Sequence, residues 1–163
     1  MQKRFFTAVT TAWLLASSTP APAHVVVLPD AGSDRAPACG FTKFVVRVPT
    51  EKPIPTVAVR VLIPPGVTVI AVQPKPGWHA DLETNKGRIV AIAWSGGRIQ
   101  PREFDEFAML AATPKKAVTV DWNAEQTYDD KSVVRWSGNP DSDYPHSQTV
   151  FTVPAGSCGR KSP

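Results

Sequence analysis

Three histidines occur among the 163 residues, His24, His79 and His146, and only His24 stands where it can gain a second metal-binding nitrogen. It directly follows Ala21-Pro22-Ala23, the small-residue pattern after which signal peptidase cuts. A cut there frees the His24 α-amine, and the reference pKa of such an amine, about 7.7–8, lets a metal displace its proton near neutrality. The amine and the imidazole Nδ1 of one residue close a six-membered chelate ring. Two nitrogens in one plane suit Cu(II), which takes tetragonal nitrogen and oxygen ligation and heads the affinity order of the divalent first-row metals. Two atoms do not complete a site. A histidine that merely follows a cleavage site therefore stays open as the alternative until further ligands are found.

Soft ligands do not complete it. Met109 is the one methionine beyond residue 1, so a thioether site is excluded. Neither cysteine has a histidine within loop reach, which excludes the cysteine–histidine–methionine set of a blue-copper centre. Carboxylates and aromatics remain. Glu103-Phe104-Asp105-Glu106 opens a strand-like run. Alternation puts Phe104 and Glu106 on one face and Glu103, Asp105 and Phe107 on the other. An acidic strand end is ordinarily a solvated edge. Trp136 shares a face with Val134 and reads as a core residue, and Trp78, Trp94 and Trp122 read as core or corner residues.

The segment that delivers His24 has the layout of a secretory signal: Lys3 and Arg4, an apolar run from Phe5 to Leu15, small polar residues, then the cleavage pattern. The apolar run falls far short of the roughly 20 residues that span a bilayer, which separates it from an anchor. Removing residues 1–23 leaves 140, the size of one domain with its own core. The formal charge drops from +4 to +2 once Lys3 and Arg4 leave, too little for a nucleic-acid surface, and Arg160-Lys161 reads as a solvated tail. No second apolar stretch follows, so the mature chain is expected to carry no membrane span. Export to the periplasm or the cell exterior means an oxidising compartment. There Cys39 and Cys158 are expected to form one disulfide, closing a loop of about 120 residues worth up to ~4–5 kcal/mol in the chain-entropy model. Neither sits in a C-x-x-C pair, which argues against redox catalysis.

The elements that must hold these residues read as strands. Runs at 24–28, 41–48, 56–63, 67–72, 88–94, 104–112, 118–122, 126–128, 132–136 and 150–153 are rich in β-branched and aromatic residues, with proline and glycine between them. Pro64-Pro65-Gly66, Ser95-Gly96-Gly97 and Gly138-Asn139-Pro140 read as breaks. No segment keeps a helical period over three turns. The pattern predicts one all-β domain over residues 24–163: an antiparallel two-sheet sandwich, Ig-like or cupredoxin-like.

Eight short segments run in a fixed order along this domain: His24–Pro29, Phe44–Glu51, Pro74–Trp78, Ile92–Gly97, Glu103–Phe107, Gln126–Tyr128, Val133–Trp136 and Pro145–Ser147. In them the chain resembles the YcnI-like family of exported copper-binding proteins. The resemblance implies a β-sandwich that binds Cu(II) through a brace with a single histidine. His24 would supply amine and ring nitrogen, a glutamate would add a carboxylate, and a tryptophan would lie against the metal. Trp136 matches that tryptophan. Glu106 is the first match for the glutamate and Glu103 the second, and their opposite faces keep them from being equivalent. The chain departs from the family's pattern in two ways. Many members carry a C-terminal membrane helix where this one has Gly159-Arg160-Lys161-Ser162-Pro163, and many lack the two cysteines. The expected function is non-enzymatic copper storage, delivery or resistance, with a periplasmic copper chaperone or copper transporter as exchange partner. Two other readings stand beside it. A histidine-brace copper oxygenase would need His79 or His146 as a second histidine. A metal-free Ig-like adhesion or assembly module would need no ligands.

Overall fold

The structure is a computed structural model, and residues 24–30, 32–155 and 158 are described. The expected signal segment 1–23 and the basic pair Arg160-Lys161 lie outside them. Every regular element is a strand: β1 (Val26–Pro29), β2 (Arg35–Pro37), β3 (Phe41–Pro49), β4 (Thr56–Leu62), β5 (Thr68–Val72), β6 (His79–Asn85), β7 (Arg88–Ile99), β8 (Phe104–Ala112), β9 (Val118–Trp122), β10 (Ala124–Tyr128), β11 (Val133–Trp136) and β12 (Ser147–Thr152). A four-stranded sheet in the order β1-β3-β8-β5 faces a five-stranded sheet in the order β11-β10-β4-β7-β6. A third sheet, β2-β12-β9, is an addition to the expected pair, and its β2–β12 pairing is parallel.

Alternation decides which side chains meet. β3 turns Phe44, Val46 and Val48 inward and β8 turns Phe107, Met109 and Ala111 inward, while β4, β7, β10 and β11 answer with Val59, Val61, Ile92, Trp94, Tyr128, Val134 and Trp136. A slip of one residue would send each of these sets into water, so burial of one face pins the register. Phe104 and Glu106 stay on the outer face of β8, as alternation predicts.

The strand runs read from sequence match the observed elements closely, with three differences. β7 continues through Gly96-Gly97 to Ile99 rather than ending at Trp94. Gly97 is required there because a Cβ would come within 2.2–2.4 Å of the Trp78 ring. β6 is an exposed polar edge strand with no apolar alternation, held by its ladder to β7, and β2 has only three residues. These two carried no periodic signal. Cys39, just after β2, and Cys158, beyond β12, form a disulfide with Cα atoms 5.6 Å apart across a separation of 119 residues. Among the described residues no helix is long and apolar enough to cross a membrane.

Candidate metal centre

β1 is the first strand of the four-stranded sheet and β11 the first strand of the five-stranded sheet, and the two edges meet at His24 and Trp136. Their ring centroids are 5.4 Å apart and the planes are tilted by 48°. β1 is fixed close behind His24. Val25 and Val27 are buried, and the Ser147 hydroxyl accepts from the Val27 N–H at 3.0 Å and donates to the Val27 carbonyl at 3.2 Å. His24 itself is only half-buried, so one side of it stays open to solvent.

Trp136 is 1% exposed and locked from two directions. Its indole N–H donates to Gln126 Oε1 at 3.1 Å, and the Tyr144 ring meets it edge-on at 5.6 Å. Gln126 Nε2 in turn donates to the Pro49 carbonyl at 2.8 Å and to Thr56 Oγ1 at 2.7 Å. With its only polar hydrogen spent on Gln126, the indole can offer His24 nothing but ring surface. Trp136 is thus both the core residue its alternation suggested and the direct neighbour of His24.

The structure places the two acidic candidates elsewhere. Glu106 lies on the outer face of β8 opposite Arg47, and Arg47 Nε donates to its carboxylate at 2.9 Å. Arg47 therefore stands between Glu106 and β1. The Glu103 carboxylate accepts the Gln100 N–H at 3.1 Å, closing its own turn. Neither carboxylate is hydrogen-bonded or ion-paired to His24 or Trp136. Among the described residues no three His, Cys, Asp or Glu side chains converge on a metal site.

A different carboxylate, Glu51, lies within electrostatic reach of Tyr128. Val26 pairs with Arg47, and the same antiparallel register carried two residues further sets His24 opposite Pro49. Glu51 follows two residues later, in the β3–β4 connection. Burial first, and then the nearby Glu51 and Tyr144, push the Tyr128 phenol up to about 12. Glu51 and Tyr144 thus both lie within electrostatic reach of Tyr128, and Tyr144 packs on Trp136. Glu51 was not among the candidates read from sequence, although it closes the segment Phe44–Glu51. The signal that could have found it is the pairing of the first strand with that segment, which brings the end of one beside the start of the other.

The remaining histidines each lie beside an aspartate. His79 Nε2 lies 3.1 Å from Asp81 Oδ1 on β6, at the opposite end of the five-stranded order from β11. Four strand spacings separate the two, roughly 19 Å. His146 Nε2 lies 3.2 Å from Asp121 Oδ1, and Gln148 donates to the same carboxylate at 2.8 Å.

Residues 24–158 match the family model described as a domain of unknown function, DUF1775. The chain is 36% identical over 141 residues to the copper-binding protein CutI of Bacillus subtilis (strain 168), across 85% of this chain and 67% of that protein. Among solved structures it is similar to an uncharacterized protein from Nocardia farcinica with an immunoglobulin-like fold. That likeness has a TM-score of 0.70 and 29% identity, covering 80% of this chain and 99% of the other.

Proposed function

The chain belongs to the DUF1775 family, the YcnI-like proteins, and from that premise we propose that it is an exported Cu(II)-binding protein whose metal is held at its processed N-terminus. The observation that carries this reading is the His24 ring set against the locked Trp136 indole, at the residue a cut after Ala23 would expose. His24 contributes amine and imidazole nitrogens, a hard, planar pair matched to Cu(II). Glu51, rather than Glu106 or Glu103, supplies the carboxylate. It stands two residues beyond Pro49, the residue facing His24 in the extended register, whereas Glu106 is paired with Arg47 on the outer face of β8. Trp136 covers one side of the metal and limits solvent access.

The role is non-enzymatic: storage, delivery or resistance, with copper passed to or from a periplasmic copper chaperone or transporter. His79 lies on β6, at the opposite edge of the five-stranded sheet from β11, which sets it apart from a two-histidine site with His24. A compartment outside the cytosol fits both the cleavage pattern and the Cys39–Cys158 disulfide. Isothermal titration of Cu(II) into protein beginning at His24 is expected to show one tight site. The same protein with a glycine placed before His24 is expected to lose it, because the amine becomes an amide. Equal affinity in the two proteins would rule out the brace, and no binding in either would favour a metal-free adhesion or assembly module.

A further inference from the structure

Gln126 is the largest of the buried polar side chains and is completely shielded from solvent. It sits on β10, flanked by Val134 of β11 and Val59 of β4. A hydrophobic side chain of similar volume would fill this space without the cost of desolvating a primary amide. The amide is instead fully used. Its oxygen takes the Trp136 N–H at 3.1 Å, and its nitrogen serves the Pro49 carbonyl at 2.8 Å and Thr56 Oγ1 at 2.7 Å. The Thr56 hydroxyl is bonded in turn to that of Thr50 at 2.8 Å, and Thr50 directly precedes Glu51.

These bonds join the two sheets at one point. One arm of the amide orients the indole that faces His24. The other holds the last residue of β3, across from His24 in the extended register and two residues before Glu51. We infer that Gln126 is a positioning residue for the metal centre. It fixes the rotation of the Trp136 ring and the position of the Glu51-bearing turn through a single buried side chain. The inference rests on the copper reading above and adds to it a residue that touches neither metal nor solvent.

A matched control exists within the same chain. The Trp122 indole N–H donates to buried Thr149 Oγ1 at 2.9 Å, in the third sheet. Thr149→Val orphans an indole N–H just as Gln126→Met does, but not the one beside His24. The test uses mature protein beginning at His24. Cu(II) affinity is measured by titration and the ligand field by electron paramagnetic resonance, while the Trp136 indole N–H is followed by amide-type hydrogen exchange in the metal-free state. Gln126→Met is expected to weaken Cu(II) binding roughly 10- to 100-fold, the usual range for residues that orient metal ligands from behind, and to alter the resonance spectrum. Thr149→Val is expected to lower thermal stability and leave both copper readouts unchanged. Fast exchange of the Trp136 N–H in the wild type would overturn the inference. So would a folded Gln126→Met protein with wild-type affinity and spectrum, or an equal loss of affinity in Thr149→Val. If Gln126→Met does not fold, Thr56→Val removes one of the three bonds. The same readouts then decide, with a smaller shift in the same direction supporting the inference and no shift overturning it. Failure of the wild type to bind copper would instead remove the reading beneath it, a result distinct from wild-type binding that Gln126 does not influence.

Discussion

An indole that keeps its hydrogen has no nitrogen lone pair to give, so Trp136 acts on a metal at His24 only through its ring, and the missing charge must come from a carboxylate. Glu51 and Glu106 make opposite predictions. Glu51→Gln keeps the shape and removes the charge, and is expected to weaken Cu(II) binding by tenfold or more in a titration. Glu106→Gln is expected to leave the affinity unchanged and to cost no more than about 1 kcal/mol, because its pair with Arg47 is surface-exposed. The reverse pattern would return the ligand role to Glu106. At this scale His24 was singled out by its place after the cleavage pattern and Trp136 by the family resemblance, and the structure sets their rings 5.4 Å apart. Glu51 was not singled out, because a carboxylate beyond a strand end looks like a solvated residue until the partner strand is known. Glu106 drew attention by standing in a charged cluster, and the cross-strand Arg47 that pairs with it lies 59 residues earlier, roughly 200 Å of extended chain away in any reading without register.

The element that carries Glu51 is the connection between β3 and β4, and it is clamped to the end of β10. The Lys52 ammonium lies 4.4 Å above the Tyr128 ring centre and donates to Ser132 at 3.0 Å, while the Asp129 N–H donates to the Pro55 carbonyl at 3.0 Å. This clamp has a pH signature. The Tyr128 phenol is pushed from 10.0 up to about 12, chiefly by burial. Between those values the unfolded chain has lost a proton that the folded chain retains, so stability falls as pH rises through the interval. The loss is up to about 2–3 kcal/mol. Denaturant unfolding of the wild type and of Tyr128→Phe across pH 9–12 is expected to show a steeper alkaline decline for the wild type. Parallel declines would mean that the phenol ionises freely in the folded state. Most strands were legible because one face of each is buried. β6 was not, since its exposed residues alternate nothing and only the ladder to β7 keeps it extended. The same absence of patterning hid the continuation of β7, where Gly96-Gly97 reads as a break but serves as the floor for Trp78.

Across the whole molecule, the order of strands within each sheet depends on contacts far apart in sequence, which no local pattern encodes. The third sheet is the clearest case, since β2 and β12 pair in parallel from opposite ends of the described chain. The disulfide secures that pairing. Cys39 follows β2 and Cys158 follows β12, so the bond closes the two segments whose separation costs most chain entropy on folding. A loop of this length is worth up to ~4–5 kcal/mol in the entropy model, and native bridges typically return about 2–4. For a domain of this size each kilocalorie moves Tm by about 3–4 °C. Cys39→Ser with Cys158→Ser is therefore expected to lower Tm by roughly 6–15 °C in calorimetry. Copper affinity at temperatures where the variant stays folded is expected to hold, because β1 is anchored beside His24 by β3 and Ser147 rather than by β2. If copper binding fell along with Tm in a variant still folded by circular dichroism, the β2 edge of the third sheet would also be part of what holds the N-terminus in place. The centre would then depend on the oxidised state of the domain.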